Sequence, residues 1–387
     1  LNPQSSIPKG RARGLETSGG NMMRRLLVSM TLTVTALSCA SGGDMANRAR
    51  TGEPPPYAGG VSDTLPVGAI PDVVLHDNDR NKDIRVSVEY PARAGVANPL
   101  IVFSPELGRT NRDYVGLSSY WASRGYVVIR TSHADSGGES TQTPADWRNR
   151  VRDVTFAIDS VPQLIQRFPE LEGKIDARRV GVAGHGYGAF TALLLAGVRT
   201  FPGGVSYADP RVKAAVTLSP PGPSAARGLT EESWSGLTGP VLFVTGTADR
   251  GMDDSETPDW RKQAFTLSPA GEKWLVVLDG ARHATFTGRF DNMLDAAARQ
   301  RAQPDLTDPN PPNDPNNPNP SPLPATRSSS NQRMSRAEYA AFRQQDLFNL
   351  TRGLAYAFWD TYLRDKPEGR KALEEATGKM NVVVEKK

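Results

Sequence analysis

One stretch constrains the whole chain: Arg179-Val180-Gly181-Val182-Ala183-Gly184-His185-Gly186-Tyr187-Gly188-Ala189-Phe190-Thr191. Its apolar run reads as a buried strand, and the helix-forming residues that follow at once require that strand to turn sharply into a helix. Gly184 and Gly188 flank the turn, where the lack of a Cβ lets strand and helix approach closely, and Gly186 stands at its centre. A strand buried on both faces needs helices above and below it, so the stretch commits the chain to an α/β fold.

The surrounding segments agree. Leu100–Phe103, Tyr126–Ile129, Val180–Ala183, Ala214–Leu218, Val241–Thr245 and Trp274–Leu278 are short continuous apolar runs. Arg112–Ser123, Asp146–Phe168 and Tyr187–Ala196 lie between them with helical spacing, which predicts a mostly parallel central sheet flanked by helices. Ligands in such sheets bind outside the carboxyl ends of the strands. Ahead of these runs, Asp72–Leu75 and Asp83–Tyr90 alternate as a hairpin. Asp77, Asp79, Asn81 and Asp83 in its turn have the spacing of a calcium loop, but Lys82 replaces the required glycine and Val88 the closing glutamate. A solvated turn is the expectation there.

The amino-terminal region reads as a targeting signal. Met22 or Met23, then Arg24-Arg25 and the apolar run Leu26–Leu37, form a charged region and a short hydrophobic region, with residues 1–21 as an over-extended start. Ala36-Leu37-Ser38-Cys39 reads as a lipobox that makes Cys39 a lipidated terminus; Ser38-Cys39-Ala40 also suits an ordinary signal peptidase. Cys39 is the single cysteine, so no internal disulfide forms. The expectation is an exported protein, either lipid-anchored or periplasmic or secreted, that meets a membrane only through that anchor. Five cations against Glu16 place a charge of +4 before residue 39, equal to the +4 of the whole chain, so the remainder is near neutral and no nucleic-acid partner is expected.

Residues 1–39 are thus leader, 40–67 a Gly/Pro/Ser-rich tether and 68–302 the folded domain. Residues 303–333, dense in Pro, Asn and Asp, read as a disordered insertion, and 334–387 as a carboxyl-terminal helix and tail. That helix, Arg336 to about Leu363, presents Tyr339, Phe342, Leu347, Leu350, Leu354 and Phe358 as an apolar face.

The frame Gly184-x-Gly186-x-Gly188 is that of the G-x-S-x-G nucleophile elbow, with glycine where the serine belongs. From about Asp72 to Leu363 the chain resembles the α/β-hydrolase superfamily, in its bacterial dienelactone hydrolase-like and platelet-activating factor acetylhydrolase-like esterase branch. The phrases that carry the resemblance are Leu100-Ile101-Val102-Phe103-Ser104, Gly125-Tyr126-Val127-Val128, Gly184 to Leu193, Asp209-Pro210-Arg211-Val212-Lys213-Ala214-Ala215, Gly246-Thr247-Ala248-Asp249 and Ala357 to Leu363. The family orders its triad as nucleophile, acid, histidine. That order implies Gly186 at the nucleophile position, Asp249 after the strand Val241–Thr245 and His283 after Trp274–Leu278. Of four histidines, His283 alone follows the last strand; His76, His133 and His185 lie elsewhere. The resemblance implies hydrolysis of a small-molecule, lipid or polyester-type ester through an acyl-enzyme, with no metal and no organic cofactor.

Two departures fall in the catalytic centre. Serine is missing at 186, and Pro105-Glu106 replaces the family's His-Gly in the loop that helps form the oxyanion hole. Tyr187 and Leu107 are the expected backbone donors of that hole. An ionised Glu106 about 4 Å from a developing oxyanion opposes it by roughly 4 kcal/mol at an effective dielectric near 20. Three readings follow: an esterase impaired or inactive; a non-catalytic module that binds ligand in the former ester pocket, lined by Tyr187, Trp234 and Trp260; or a hydrolase using Glu106, Ser132, Ser136 or an activated water. Asp253 and Asp254 stand in reserve for Asp249.

Overall fold

The computed structural model describes residues 64–92, 95, 97–134, 144–251, 255–290, 336–377 and 382–387. The leader with Cys39, Ser136, Asp253, Asp254 and the Pro/Asn-rich insertion lie outside these residues.

Alternation sets the sheet. Leu100 and Val102 contribute to one apolar cluster while Ile101 and Phe103 contribute to the other, and Val241 and Phe243 divide from Leu242 and Val244 in the same way. Each strand therefore buries both faces. A hairpin of β1 (Val67–Asp77) and β2 (Lys82–Pro91) leads into the sheet antiparallel to β4 (Val127–Thr131). From β4 the strands run parallel through β3 (Asn98–Ser104), β5 (Ile175–His185), β8 (Val212–Leu218), β9 (Val241–Ala248) and β10 (Lys273–Arg282). An antiparallel edge strand, β11 (Val382–Lys386), completes nine strands. The two-residue strands β6 (Arg199–Thr200) and β7 (Val205–Ser206) pair outside the sheet.

One face is covered by α2 (Pro144–Asp159), α3 (Val161–Arg167), α4 (Tyr187–Ala196) and α5 (Pro258–Thr266). The other is covered by α1 (Val115–Ala122), α6 (Arg336–Leu363) and α7 (Pro367–Glu374). This is the α/β architecture expected from the strand–helix alternation. No described helix is long and apolar enough to cross a membrane.

Four local expectations need correction. The single helix expected over Asp146–Phe168 is two, broken at Ser160, because Pro162 has no N–H to continue the ladder. The tail adds α7 and β11 to the fold, and Val382–Val384 pair with Val276–Leu278. Tyr339 is exposed and lies off the apolar face of α6, which packs through Leu347, Leu350, Leu354 and Phe358. The acidic turn is not simply solvated: Asp77 is buried and accepts from the N–H groups of Asp79 (3.0 Å) and Arg80 (3.2 Å), while Arg80 and Lys82 reach Asp153 on α2.

Strand order reverses at β3, whose neighbours β4 and β5 lie on opposite sides. The loop after β3 carries Glu106 and the turn after β5 carries Gly186, so both stand over the crevice where such sheets bind ligands. The ends of β9 and β10 bring Asp249 and His283.

Candidate active site

The turn after β5 is built on close backbone contact. A Cβ on Gly184 would stand 2.1 Å from Gly188 O, and one on Gly188 would stand 2.0 Å from Ser104 O, so the flanking glycines are steric necessities. Gly186 has φ 52° and ψ −109°, a conformation strained for any residue with a Cβ. Its N–H is tied to Leu218 O (2.9 Å), and its carbonyl accepts the Phe190 N–H of the new helix.

Glu106 fills the space in front of that glycine. A Cβ built on Gly186 would fall 1.4 Å from Glu106 Oε2 and 2.4 Å from its carboxyl carbon. Oε1 of the same carboxylate accepts from the N–H groups of Leu107 (2.6 Å) and Tyr187 (3.0 Å), the two donors expected to form an oxyanion hole. The two N–H groups named from the sequence therefore converge on one point, and that point is the Glu106 carboxylate itself. Glu106 was expected to stand at a distance from these donors; instead it accepts directly from both.

The carboxylate continues into a relay. His283 Nε2 bonds Glu106 Oε2 (2.8 Å), and His283 Nδ1 bonds Asp249 Oδ1 (3.1 Å). The pairing expected between Asp249 and His283 is therefore present, and the third member is Glu106. Asp249 is fully buried and also accepts from the hydroxyls of Ser219 (2.6 Å) and Thr245 (2.8 Å), with Arg261 Nε 3.1 Å away. Burial raises the Asp249 pKa, but His283 and the Arg261 charge outweigh it, so Asp249 titrates below its ordinary value. Burial likewise disfavours ionised Glu106, yet the His283 hydrogen bond, the neighbouring imidazole charge and the Leu107 N–H bring its pKa down to about 2. For His283 burial lowers the pKa and the two carboxylates raise it, with a net rise to about 9. At neutral pH the site holds an imidazolium clamped between two carboxylates.

His185 packs beneath, its ring 4.4 Å from that of His283. Burial and the adjacent His283 charge lower its pKa to about 3, so it is neutral. The Tyr114 hydroxyl accepts the Glu106 N–H (3.3 Å) and shares a hydrogen bond with His185 Nδ1 (2.8 Å). Glu106, His185 and His283 have ligand atoms within 4.8 Å of one another, the spacing of a conceivable metal centre. Within that group Glu106 Oε2 and His283 Nε2 already bond each other (2.8 Å), and His283 Nδ1 is taken up by Asp249 (3.1 Å).

Other expectations fare differently. Trp234 is wholly buried in the core. Trp260 is half-buried and donates from Nε1 to Pro223 O (2.8 Å). The Tyr187 ring is buried, with the Arg150 guanidinium 4.9 Å from its centroid. Ser132 is no free nucleophile: its hydroxyl accepts the Asn111 N–H (2.8 Å) and donates to Asn111 Oδ1 (2.8 Å).

Sequence reasoning missed a second chain of this kind. Ser104 Oγ lies 2.9 Å from His133 Nε2, and His133 Nδ1 lies 2.9 Å from Asp153 Oδ2, all three buried. The Arg150 guanidinium, also buried, donates to Pro105 O (2.8 Å). Together these contacts anchor the loop that carries Glu106. The signal available in the sequence was a histidine after β4 and a polar Arg150/Asp153 pair inside an otherwise apolar helix face.

Comparison with protein-family models and with curated proteins finds no match for the chain.

Proposed function

We propose that this protein is an α/β-hydrolase of the exported esterase type in which Glu106 has taken over from the missing serine, making a Glu106–His283–Asp249 hydrolase that forms no serine acyl-enzyme. The observation that carries this reading is the seat of the Glu106 carboxylate, with Oε2 in the volume a residue-186 side chain would fill and 2.8 Å from His283 Nε2. A carboxylate there can act as a nucleophile, and the imidazole can pass protons to and from the reacting groups. Asp249 holds the ring and balances its charge. The leader at Met22–Leu37 and Cys39 support export and a lipid anchor. The substrate on this reading is a small hydrolysable molecule, and the resemblance to esterases suggests an apolar one.

Binding without catalysis is the weaker reading. Trp234, one of the three aromatic side chains that would have lined its pocket, belongs to the core. The reading is tested by assaying the purified chain on short- and medium-chain p-nitrophenyl esters and on other small electrophiles, before and after fluorophosphonate treatment. Turnover insensitive to the fluorophosphonate and lost in both Glu106→Gln and His283→Gln supports it. Turnover abolished by a stoichiometric fluorophosphonate adduct on any serine overturns it, as does ligand-induced stabilisation without turnover of any substrate.

A further inference from the structure

The two oxygens of Glu106 already have separate tasks. Oε1 rests on the N–H groups of Leu107 and Tyr187, and Oε2 faces His283. Attack on a carbonyl carbon generates an oxyanion that needs the two N–H groups for itself, and here they are engaged by the attacking carboxylate. Attack on a saturated carbon generates no oxyanion in the first step. It leaves an ester on Glu106 whose carbonyl oxygen, the former Oε1, sits in the hole, which then serves the hydrolysis of that ester.

His283 narrows the class further. Its Nε2 proton lies on the attacking oxygen, in position for a leaving oxygen on the adjacent atom of a three-membered ring. The groups that face His283 are the Glu106 and Asp249 carboxylates and the His185 ring, with Arg261 behind Asp249. Resting on the reading of the relay as a hydrolytic centre, we infer that the substrate is a small epoxide, opened by Glu106 through a covalent hydroxyalkyl ester.

The steps balance. Glu106 Oε2 forms a bond to a ring carbon, that carbon's bond to the ring oxygen breaks, and the alkoxide takes the proton from His283 Nε2. Neutral His283 then removes a proton from water as the water oxygen bonds to the Glu106 carboxyl carbon. The resulting oxyanion rests on the Leu107 and Tyr187 N–H groups. Collapse breaks the ester bond, the departing alkoxide takes the His283 proton and leaves as the diol, and the new carboxylic acid returns its proton to His283. Epoxide and water give diol.

The experiment uses the full chain and styrene oxide in heavy-oxygen water. In a single turnover the diol is expected to carry ordinary oxygen, taken from Glu106, and the peptide containing Glu106 is expected to carry the heavy isotope. Glu106→Gln, checked for an intact melting transition, is expected to lose turnover by about 10³-fold or more. His283→Gln treated with a primary alkyl bromide, whose leaving group needs no proton, is expected to accumulate an adduct on Glu106. Heavy oxygen in the diol with none in Glu106 overturns the proposal in favour of direct attack by water. No diol from the epoxide and no adduct from the bromide also overturns it. Heavy oxygen in Glu106 with p-nitrophenyl esters but not with the epoxide overturns the substrate class and leaves the relay intact; ester turnover unaffected by Glu106→Gln removes both.

Discussion

Glu106 and Gly186 are a matched pair: the carboxylate of one lies where the Cβ of any other residue at the second position would be, 1.4 Å from Oε2. A side chain cannot be placed at 186 without meeting Glu106, whereas removal of the Glu106 side chain alone creates no collision. Glycine at one position and glutamate at the other form a single spatial arrangement, although 80 positions separate them in sequence.

Gly186→Ser is expected to be destabilising for two reasons, the positive φ and the displaced Glu106. The backbone contribution alone is about 1 to 3 kcal/mol, a fall of several degrees in melting temperature. Glu106→Gly in the same chain should relieve the collision. A double-mutant cycle by chemical denaturation is expected to give a favourable coupling of about 1 kcal/mol or more between the two sites. Only the double variant is expected to take up a fluorophosphonate, as read by intact mass; a single Gly186→Ser variant that labels fully would contradict the placement of Glu106.

The ion pair at Glu106–His283 has a defined pH window. The His283 pKa is raised from 6.5 to about 9, so its contribution to stability is complete below 6.5 and lost as the pH rises through 9. The Glu106 pKa is lowered from 4.5 to about 2, so its contribution is complete above 4.5 and lost as the pH falls toward 2. This pair is expected to contribute fully only between about pH 4.5 and 6.5. Nitrogen NMR of the His283 ring tests the upper limit, and in Glu106→Gln its titration is expected to move down toward the ordinary imidazole range.

Asp249→Asn is expected to cost about 3 kcal/mol, the scale for breaking a buried ion pair, because Arg261 and His283 both lose an ionised neighbour in the interior. Urea denaturation at neutral pH measures it. A variant as stable as the parent would mean that Glu256, which also bonds Arg261 (3.0 Å), carries that charge by itself.

Ser132→Ala is expected to lower stability by about 1 to 3 kcal/mol, since Asn111 loses both its hydroxyl partner and a buried acceptor for its N–H. Whatever turnover the chain has should remain. Loss of activity at unchanged stability would return Ser132 to the list of nucleophiles.

Much of this molecule was legible from short-range pattern. Continuous apolar runs, helical spacing and the glycines at 184, 186 and 188 are properties of neighbouring residues, and they were enough to indicate a mostly parallel sheet and a tight turn after β5. The Asp249–His283 contact was also within reach, because residues that end strands adjacent in a sheet are adjacent in space. Trp234 shows the limit of composition: an aromatic residue suits a pocket or a core equally well, and only burial distinguishes them. The direction of the Glu106 side chain could not be read either. A charge beside the Leu107 and Tyr187 N–H groups and a charge seated on them have the same sequence. Which of them occurs depends on the room left by Gly186, on two N–H groups from separate loops, and on an imidazolium from the end of β10 that holds the carboxylate in place.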